Sequence, residues 1–182
     1  MSEFKSLQQF FIKFGKSIAS CIKIIIQSRS IGDYPIGHKD LVILGNGPSL
    51  TQMLQDKQYF LENKDLMAVN KASISEYYEQ IRPKYYLLMD PLFFQSGKTM
   101  ENTIKAIVEK TKWTMDLFVP INARSEKIWQ SCVRENKNIT IRWFNATPVE
   151  GFQSFAFNCY KKGWGMPRPR NVLIPCMMVG LR

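Results

Sequence analysis

Five residues near position 47 have the types and the spacing of a phosphate-binding turn. The run Gly45-Asn46-Gly47-Pro48-Ser49 follows a short apolar segment and precedes a segment of helical character. Glycines allow a tight turn and the close approach of a ligand to the backbone, and proline is favoured at the first helical position. Free amides at a helix start attract anions, and the Ser49 hydroxyl adds a donor. A tight turn that serves only the fold explains the same pattern, and this alternative stays open.

Two further polar residues follow apolar segments that are predicted to be strands. Asn70 comes after residues 66–69, and Asp90 comes after residues 85–89. In an open α/β sheet, ligands bind in the crevice at the carboxyl ends of the strands. An asparagine offers a donor and an acceptor to a base or a ribose, and an aspartate accepts from hydroxyls or holds a cation. Both residue types are equally suited to a cap or a turn.

Short apolar runs alternate with helical segments around these residues. Strands are predicted at 41–44, 66–69, 85–89, 117–119 and 139–144, and helices at 48–56, 73–80, 99–110 and 125–135, the last with Ser125 as its cap. This alternation favours an α/β fold with a Rossmann-like, doubly wound, mostly parallel sheet. An aromatic-rich segment at 145–170, broken by glycines and prolines, is predicted to be a long lid over the carboxyl end of the sheet.

Residues 1–30 are predicted to form a basic amphipathic helix. Its apolar stripe alternates spacings of three and four and comprises Phe4, Leu7, Phe11, Phe14, Ile18, Cys21 and Ile25. Such a helix can lie on an anionic membrane or pair with a partner helix; packing on its own domain or on another copy in a homo-oligomer is the commoner use of such a stripe. The predicted division is this helix, a linker at 31–40 and a nucleotide-binding α/β domain at 41–182.

Composition restricts the class of partner. The formal net charge of +10 favours anionic partners such as nucleotides, phosphorylated sugars or an anionic membrane surface. Because no nucleic-acid-binding motif accompanies this charge, we expect no nucleic acid partner. Four scattered cysteines and a single histidine, His38, predict no zinc site.

Free cysteines also bear on location, because scattered thiols are typical of a reducing compartment. We therefore expect a cytoplasmic protein, which lies at the inner face of the membrane if its first helix binds lipid. At the other end of the chain, residues 172–182 predict an apolar helix that stops without a cap. This ending predicts that a C-terminal portion is missing from the chain.

Three segments together resemble one enzyme family. The run ILGNGPSL, the asparagine of AVNKA and the segment YYLLMDPLFF are similar to the bacterial α-2,3-sialyltransferases of glycosyltransferase family forty-two, over residues 41–95 and more loosely over 168–182. The resemblance implies transfer of a sugar from a CMP-sugar donor to a surface glycan or glycolipid, with inversion and without a metal cofactor. The predicted donor site comprises Gly45, Asn46, Gly47, Ser49, Asn70, Asp90 and Asn171.

Two departures from this family keep other functions open. The family's catalytic histidine lies late in the chain, whereas His38 precedes the motif, so the catalytic residue stays unknown. Asp90 stands where the family has asparagine, and it favours a similarity to the 6-hydroxymethylpterin diphosphokinase family, whose members hold ATP phosphates with magnesium on a similar turn. A third alternative is a non-catalytic remnant that binds a nucleotide or a partner.

Overall fold

A five-stranded parallel sheet carries most of the predicted site. The structure is a computed structural model that describes residues 2–34, 37–56, 58–94 and 97–182. The strands are β1 (Leu41–Leu44), β2 (Asp65–Val69), β3 (Tyr85–Leu87), β4 (Met115–Pro120) and β5 (Ile139–Phe144), and they lie side by side in that order. Their registers are parallel, with Val42 opposite Leu66, Ala68 opposite Tyr86 and Leu87 opposite Phe118.

The helices agree in broad outline with the sequence pattern. They are α1 (Ser2–Gln27), α2 (Pro48–Asp56), α3 (Tyr78–Ile81), α4 (Lys98–Lys110), α5 (Ile128–Glu135), α6 (Gln153–Lys161) and α7 (Leu173–Gly180). The helix predicted at 73–80 is instead a 3-10 turn at Asn70–Ile74 followed by α3. Ser75 ends that turn, since its Oγ and its N both donate to the Ala72 carbonyl.

Two other boundaries predicted from sequence were wrong. Helix α5 begins at Ile128 after Lys127, whose side chain makes no capping bond, so Ser125 is not the cap. The segment predicted as a lid at 145–170 contains α6 rather than a continuous loop. The sequence pattern did not indicate α6, because apolar side chains on several sides of a short segment form no helical stripe.

The α/β class and the parallel sheet are confirmed, and their winding adds a detail. Leu66 packs with Leu50 and Leu54 of α2, while Ala68 belongs to a cluster with Ile104 of α4 and with α5. Residues two apart in a strand face the same side, so these helices share one face of the sheet. The strand order never reverses, which places right-handed crossovers on one face. These five strands therefore lack the reversal of order that defines the predicted doubly wound arrangement.

The chain divides into two compact units. The sheet unit comprises Asp33–Trp143, and the helical unit comprises Met1–Gly32 together with Phe144–Arg182. Part of the predicted linker belongs to the sheet unit: the Tyr34 hydroxyl donates to the Trp143 carbonyl at 2.9 Å, and its ring packs edge-on against Phe118. Linker residues 35 and 36 lie outside the described residues.

In the helical unit, α1 packs through serines. The buried Ser20 hydroxyl donates to the Glu150 carbonyl and accepts from the Glu150 amide, each at 2.9 Å. Ser17 accepts from the Phe152 amide, and a side chain at Gly151 would overlap Ser17. Close approach of two backbones thus requires the glycine, which also adopts a positive φ of 132°.

Buried Asn145 holds the end of α1 to the rest of the helical unit. Its side chain bonds to both the amide and the carbonyl of Arg29 and to the carbonyl of Gly163.

Among the described residues, no helix has the length and apolarity needed to cross a membrane.

Candidate functional site

The predicted phosphate turn lies at the carboxyl end of β1, as its sequence suggested. Helix α2 begins at Pro48, and the Leu50 amide donates to the Gly47 carbonyl at 3.0 Å, which closes the first turn. Leu50 is buried in the core, whereas Gly45, Asn46 and Ser49 are exposed. The leucine thus anchors α2 while the turn before it faces outward.

Asn46 ties this turn to the neighbouring strand. Its Nδ2 donates to the backbone carbonyl of Val69, the last residue of β2, at 2.8 Å. One amide hydrogen of Asn46 is therefore committed to the fold. The turn after β1 is held in place relative to the end of β2 by a side chain rather than by the sheet ladder.

Asn70 ties the second strand end to the third. It has a left-handed backbone with φ of 47°, a conformation that asparagine tolerates better than most residues. Its Oδ1 accepts from the amides of Met89 and Asp90 at 3.1 and 3.4 Å. Its Nδ2 donor has no partner among the residues that the structure describes, so it is available to a ligand.

A buried tyrosine fixes the left-handed turn from below. The Tyr86 hydroxyl donates to the Asn70 carbonyl and accepts from the Ser73 amide at 3.0 Å. Burial raises the pKa of Tyr86 well above its ordinary value, so the hydroxyl stays protonated and keeps its donor. This positioning role could not be predicted from the sequence. The pattern of Tyr86 gave no sign of it, since an aromatic residue in a buried strand is usually core.

Six of the seven predicted donor-site residues lie in the sheet unit, at the carboxyl ends of β1, β2 and β3. The seventh, Asn171, belongs to the helical unit. There its Oδ1 accepts from the amides of Leu173 and Ile174, at 3.0 and 3.4 Å. Asn171 therefore has a structural role at the start of α7.

The two glycines of the turn are not required by the protein's own packing. A Cβ built on Gly45 meets no atom within 4 Å, and one on Gly47 meets only the Ser49 Oγ at 3.7 Å, an ordinary contact. Neither glycine has the positive φ that disfavours other residues. What the missing side chains leave is open space in front of an exposed turn at a helix start.

Asp90 lies in the turn held by Asn70 and is partly exposed. Its Oδ1 accepts from the Leu92 amide at 3.0 Å, an arrangement typical of aspartate in turns. No group of three or more histidine, cysteine or acidic side chains suited to a metal occurs within the described residues. A magnesium ion held partly by substrate phosphates needs only one or two protein carboxylates, and Asp90 fits that requirement.

Three reactive side chains are poorly suited to act in this site, namely His38, Cys132 and Cys176. His38 is exposed and precedes β1, so a four-residue strand, about 13 Å long, separates it from the turn. Burial raises the pKa of Cys132 and of Cys176 to about 12, which keeps both thiols protonated and poorly nucleophilic near neutrality.

Two concave regions of the sheet unit lie outside the predicted site. One, of about 280 Å³, lies between α4 and α5, beside Ile104 and Cys132. The other, of about 590 Å³, lies along the edge strand β5, beside Trp129 and Trp143. Neither includes a predicted site residue. The turn is distinguished by its chemistry and by the open space in front of its glycines.

Fold and site together define an α/β protein with a polar turn cluster at the carboxyl ends of three adjacent parallel strands. Comparisons of the chain with family models, with curated proteins and with solved structures found no match.

Proposed function

We propose that the turn Gly45–Ser49 binds the phosphate of a nucleotide. The observation that carries this proposal is the open space at Gly45 and Gly47, since neither strain nor packing explains why both positions lack a side chain. The turn precedes a nine-residue helix, whose first amides attract negative charge. The exposed Ser49 hydroxyl adds a donor to the same anion.

In this proposal Asn70 contacts the nucleoside or the sugar. Its Oδ1 accepts from the Met89 and Asp90 amides, which leaves its Nδ2 free to donate to an oxygen of the ligand. The exposed Asn46 uses its side chain in the opposite way. Its Nδ2 donates to the Val69 carbonyl, and its Oδ1 remains as an acceptor. Together the two asparagines supply one donor and one acceptor beside the phosphate turn.

The resemblance to sialyltransferases supports a more specific proposal: the nucleotide is the CMP part of a CMP-sugar, and the chain is a glycosyltransferase. In this reaction the oxygen of a glycan or glycolipid hydroxyl forms a bond to the anomeric carbon. The bond from that carbon to the CMP phosphate oxygen breaks, and CMP leaves as an anion. The turn and the start of α2 would stabilise the charge that develops on the phosphate. A base must accept the proton of the attacking hydroxyl, and we assign no residue to this role.

Asp90 supports a second candidate, a diphosphokinase-like transfer of pyrophosphate from ATP. Its carboxylate lies in the turn that Asn70 holds, and one of its oxygens is not used by the Leu92 amide. Asp90 would hold magnesium there, and the ion would neutralise the phosphates during transfer. In the glycosyltransferase, Asp90 would accept from a hydroxyl of the donor instead.

Calorimetric titration with CMP and with ATP, each with and without magnesium, tests both candidates. The first proposal expects CMP to bind equally well with and without the metal. Asp90→Asn then separates them, because it should weaken magnesium-dependent ATP binding strongly and CMP binding little. Binding of ATP only with magnesium, and no binding of CMP, would overturn the glycosyltransferase proposal. If neither nucleotide binds the folded protein, the phosphate turn itself is refuted.

A further inference from the structure

The apolar stripe of α1 faces away from the unit to which the helix belongs. Except for Phe4, whose side chain lies outside the described part of the chain, its members are exposed. The large side chains of the stripe are 47% to 77% exposed; they are Leu7, Phe11, Phe14, Ile18 and Ile25. Packing uses a different face, with Ser17 and Ser20 against residues 150–152 and Ile24 in the apolar cluster of Val149. Ile18 is rotated about 100° from Ser17 around the helix.

This arrangement departs from the usual use of an amphipathic helix. A surface helix ordinarily turns its apolar stripe toward its own core. Here small polar residues face inward, and their hydroxyls bond to the Glu150 and Phe152 backbone. Large contiguous apolar surfaces of this kind mark sites for a protein partner or a membrane.

Charge distinguishes between those occupants. The helical unit contains ten lysines and arginines and two glutamates, so it carries +8 of the chain's net +10. Glu150 is engaged by Lys16 and Arg168, at 3.4 and 3.2 Å. Lys5, Lys13 and Lys161 are exposed. A second copy would bring the same positive charge to the contact and be repelled, whereas an anionic surface is attracted.

We propose that α1 lies flat in the interface of an anionic lipid membrane. Its stripe enters the boundary between head groups and acyl chains, while the serine face stays attached to the helical unit. At 1.5 Å per residue its 26 residues extend about 39 Å along the surface. The net positive charge of the helical unit attracts the lipid phosphates.

Sedimentation of the full chain with vesicles tests the proposal, using phosphatidylcholine alone and phosphatidylcholine mixed with phosphatidylglycerol. We expect binding to the mixed vesicles that weakens with added salt. The triple substitution Phe11→Gln, Ile18→Gln and Ile25→Gln should reduce binding by roughly a hundredfold or more. Lys5→Gln with Lys13→Gln, both at exposed positions, should reduce it by roughly tenfold or more.

Matched controls come from the sheet unit, whose net charge is only +2. Tyr59 and Phe60 are as exposed as the stripe, so Tyr59→Gln with Phe60→Gln should leave binding unchanged. Lys112→Gln with Lys137→Gln is the corresponding charge control. Each variant's thermal unfolding shows that it is folded, which exposed positions should permit.

Three outcomes would overturn the proposal. The first is wild-type protein that stays in the supernatant with mixed vesicles. The second is an equal loss of binding in the stripe variant and its control. The third is a wild-type dimer, measured by sedimentation equilibrium, that the stripe variant converts to monomer while neither binds vesicles; this result would assign the stripe to a second copy.

Discussion

The side-chain amide of Asn46 donates to the backbone carbonyl of Val69 at 2.8 Å, and so joins the turn after β1 to the end of β2. One strand further, the Oδ1 of Asn70 accepts from the amides of Met89 and Asp90. Two asparagines thus position three consecutive loops at one edge of the sheet. The proposed nucleotide site is built on this linkage.

Gly47→Val should separate binding from folding. A Cβ at this position meets only an ordinary contact, so we expect the free energy of unfolding to change by less than about 1 kcal/mol. The branched side chain would occupy the space that we assign to phosphate, and nucleotide affinity should fall to background. Calorimetry and chemical unfolding measure the two effects. Gly32→Val, also in open space, is the control that should leave affinity intact. Unchanged affinity in folded Gly47→Val removes the turn from the site.

Substitutions of Asn70 should distinguish its structural acceptor from its free donor. Asn70→Asp keeps the oxygen for the Met89 and Asp90 amides and tolerates the left-handed backbone. It should fold normally but bind nucleotide at least about tenfold more weakly, because a donor is lost and a charge is added. Asn70→Ala should lose about 2 kcal/mol of stability from strain and from unsatisfied amides. Nucleotide binding by Asn70→Asp at wild-type affinity would leave Asn70 with a structural role alone.

Lys84 and Asp65 predict a pH-dependent contribution to stability. Lys84 Nζ lies 2.7 Å from the Asp65 carboxylate, whose side chain is only 10% exposed. This hydrogen bond raises the pKa of Lys84 above its ordinary value. Because the folded pKa exceeds the unfolded one, the stabilisation is complete below about pH 10.4 and is lost as pH rises through the folded pKa.

Lys84→Ala should therefore cost about 1–2 kcal/mol at pH 8, a value reduced by the half-exposed lysine. Guanidinium unfolding of the variant and wild type should show this difference shrinking as pH rises above 10.4. The matched control is Lys64→Ala, whose partner Asp40 is 84% exposed and should contribute at most about 0.5 kcal/mol. Equal costs for both lysines would contradict the role assigned to burial of Asp65.

A pair of substitutions in α1 tests which face of the helix packs. Ser20→Ala leaves the Glu150 amide and carbonyl without their partner, so we expect a loss of about 1–3 kcal/mol. Ile18→Ala, at an exposed position, should change stability by no more than about 0.5 kcal/mol. Thermal unfolding of both variants gives the comparison. A larger loss for isoleucine than for serine would mean that the apolar stripe is core after all.

Much of the fold could be predicted from local pattern. The apolar runs at 41–44 and 139–144 predicted β1 and β5 with the bounds that the structure shows. Pro48 located the start of α2 because its ring suits the first helical position. The placement of Asn70 and Asp90 at one edge followed from the parallel sheet, in which successive strands end on the same side.

What sequence alone determined was therefore the local element and the edge of the sheet on which each polar residue lies. The tertiary structure decided which atoms remain available. Asn46 and Asn70 look equivalent in the chain, but one commits a donor and the other an acceptor to partners 23 and 19 residues away. The tertiary structure also decided that the serines of α1, and not its apolar stripe, face inward. Periodicity reveals that a helix has two faces, whereas only the chain packed against it, here residues 150–152, determines which face is buried.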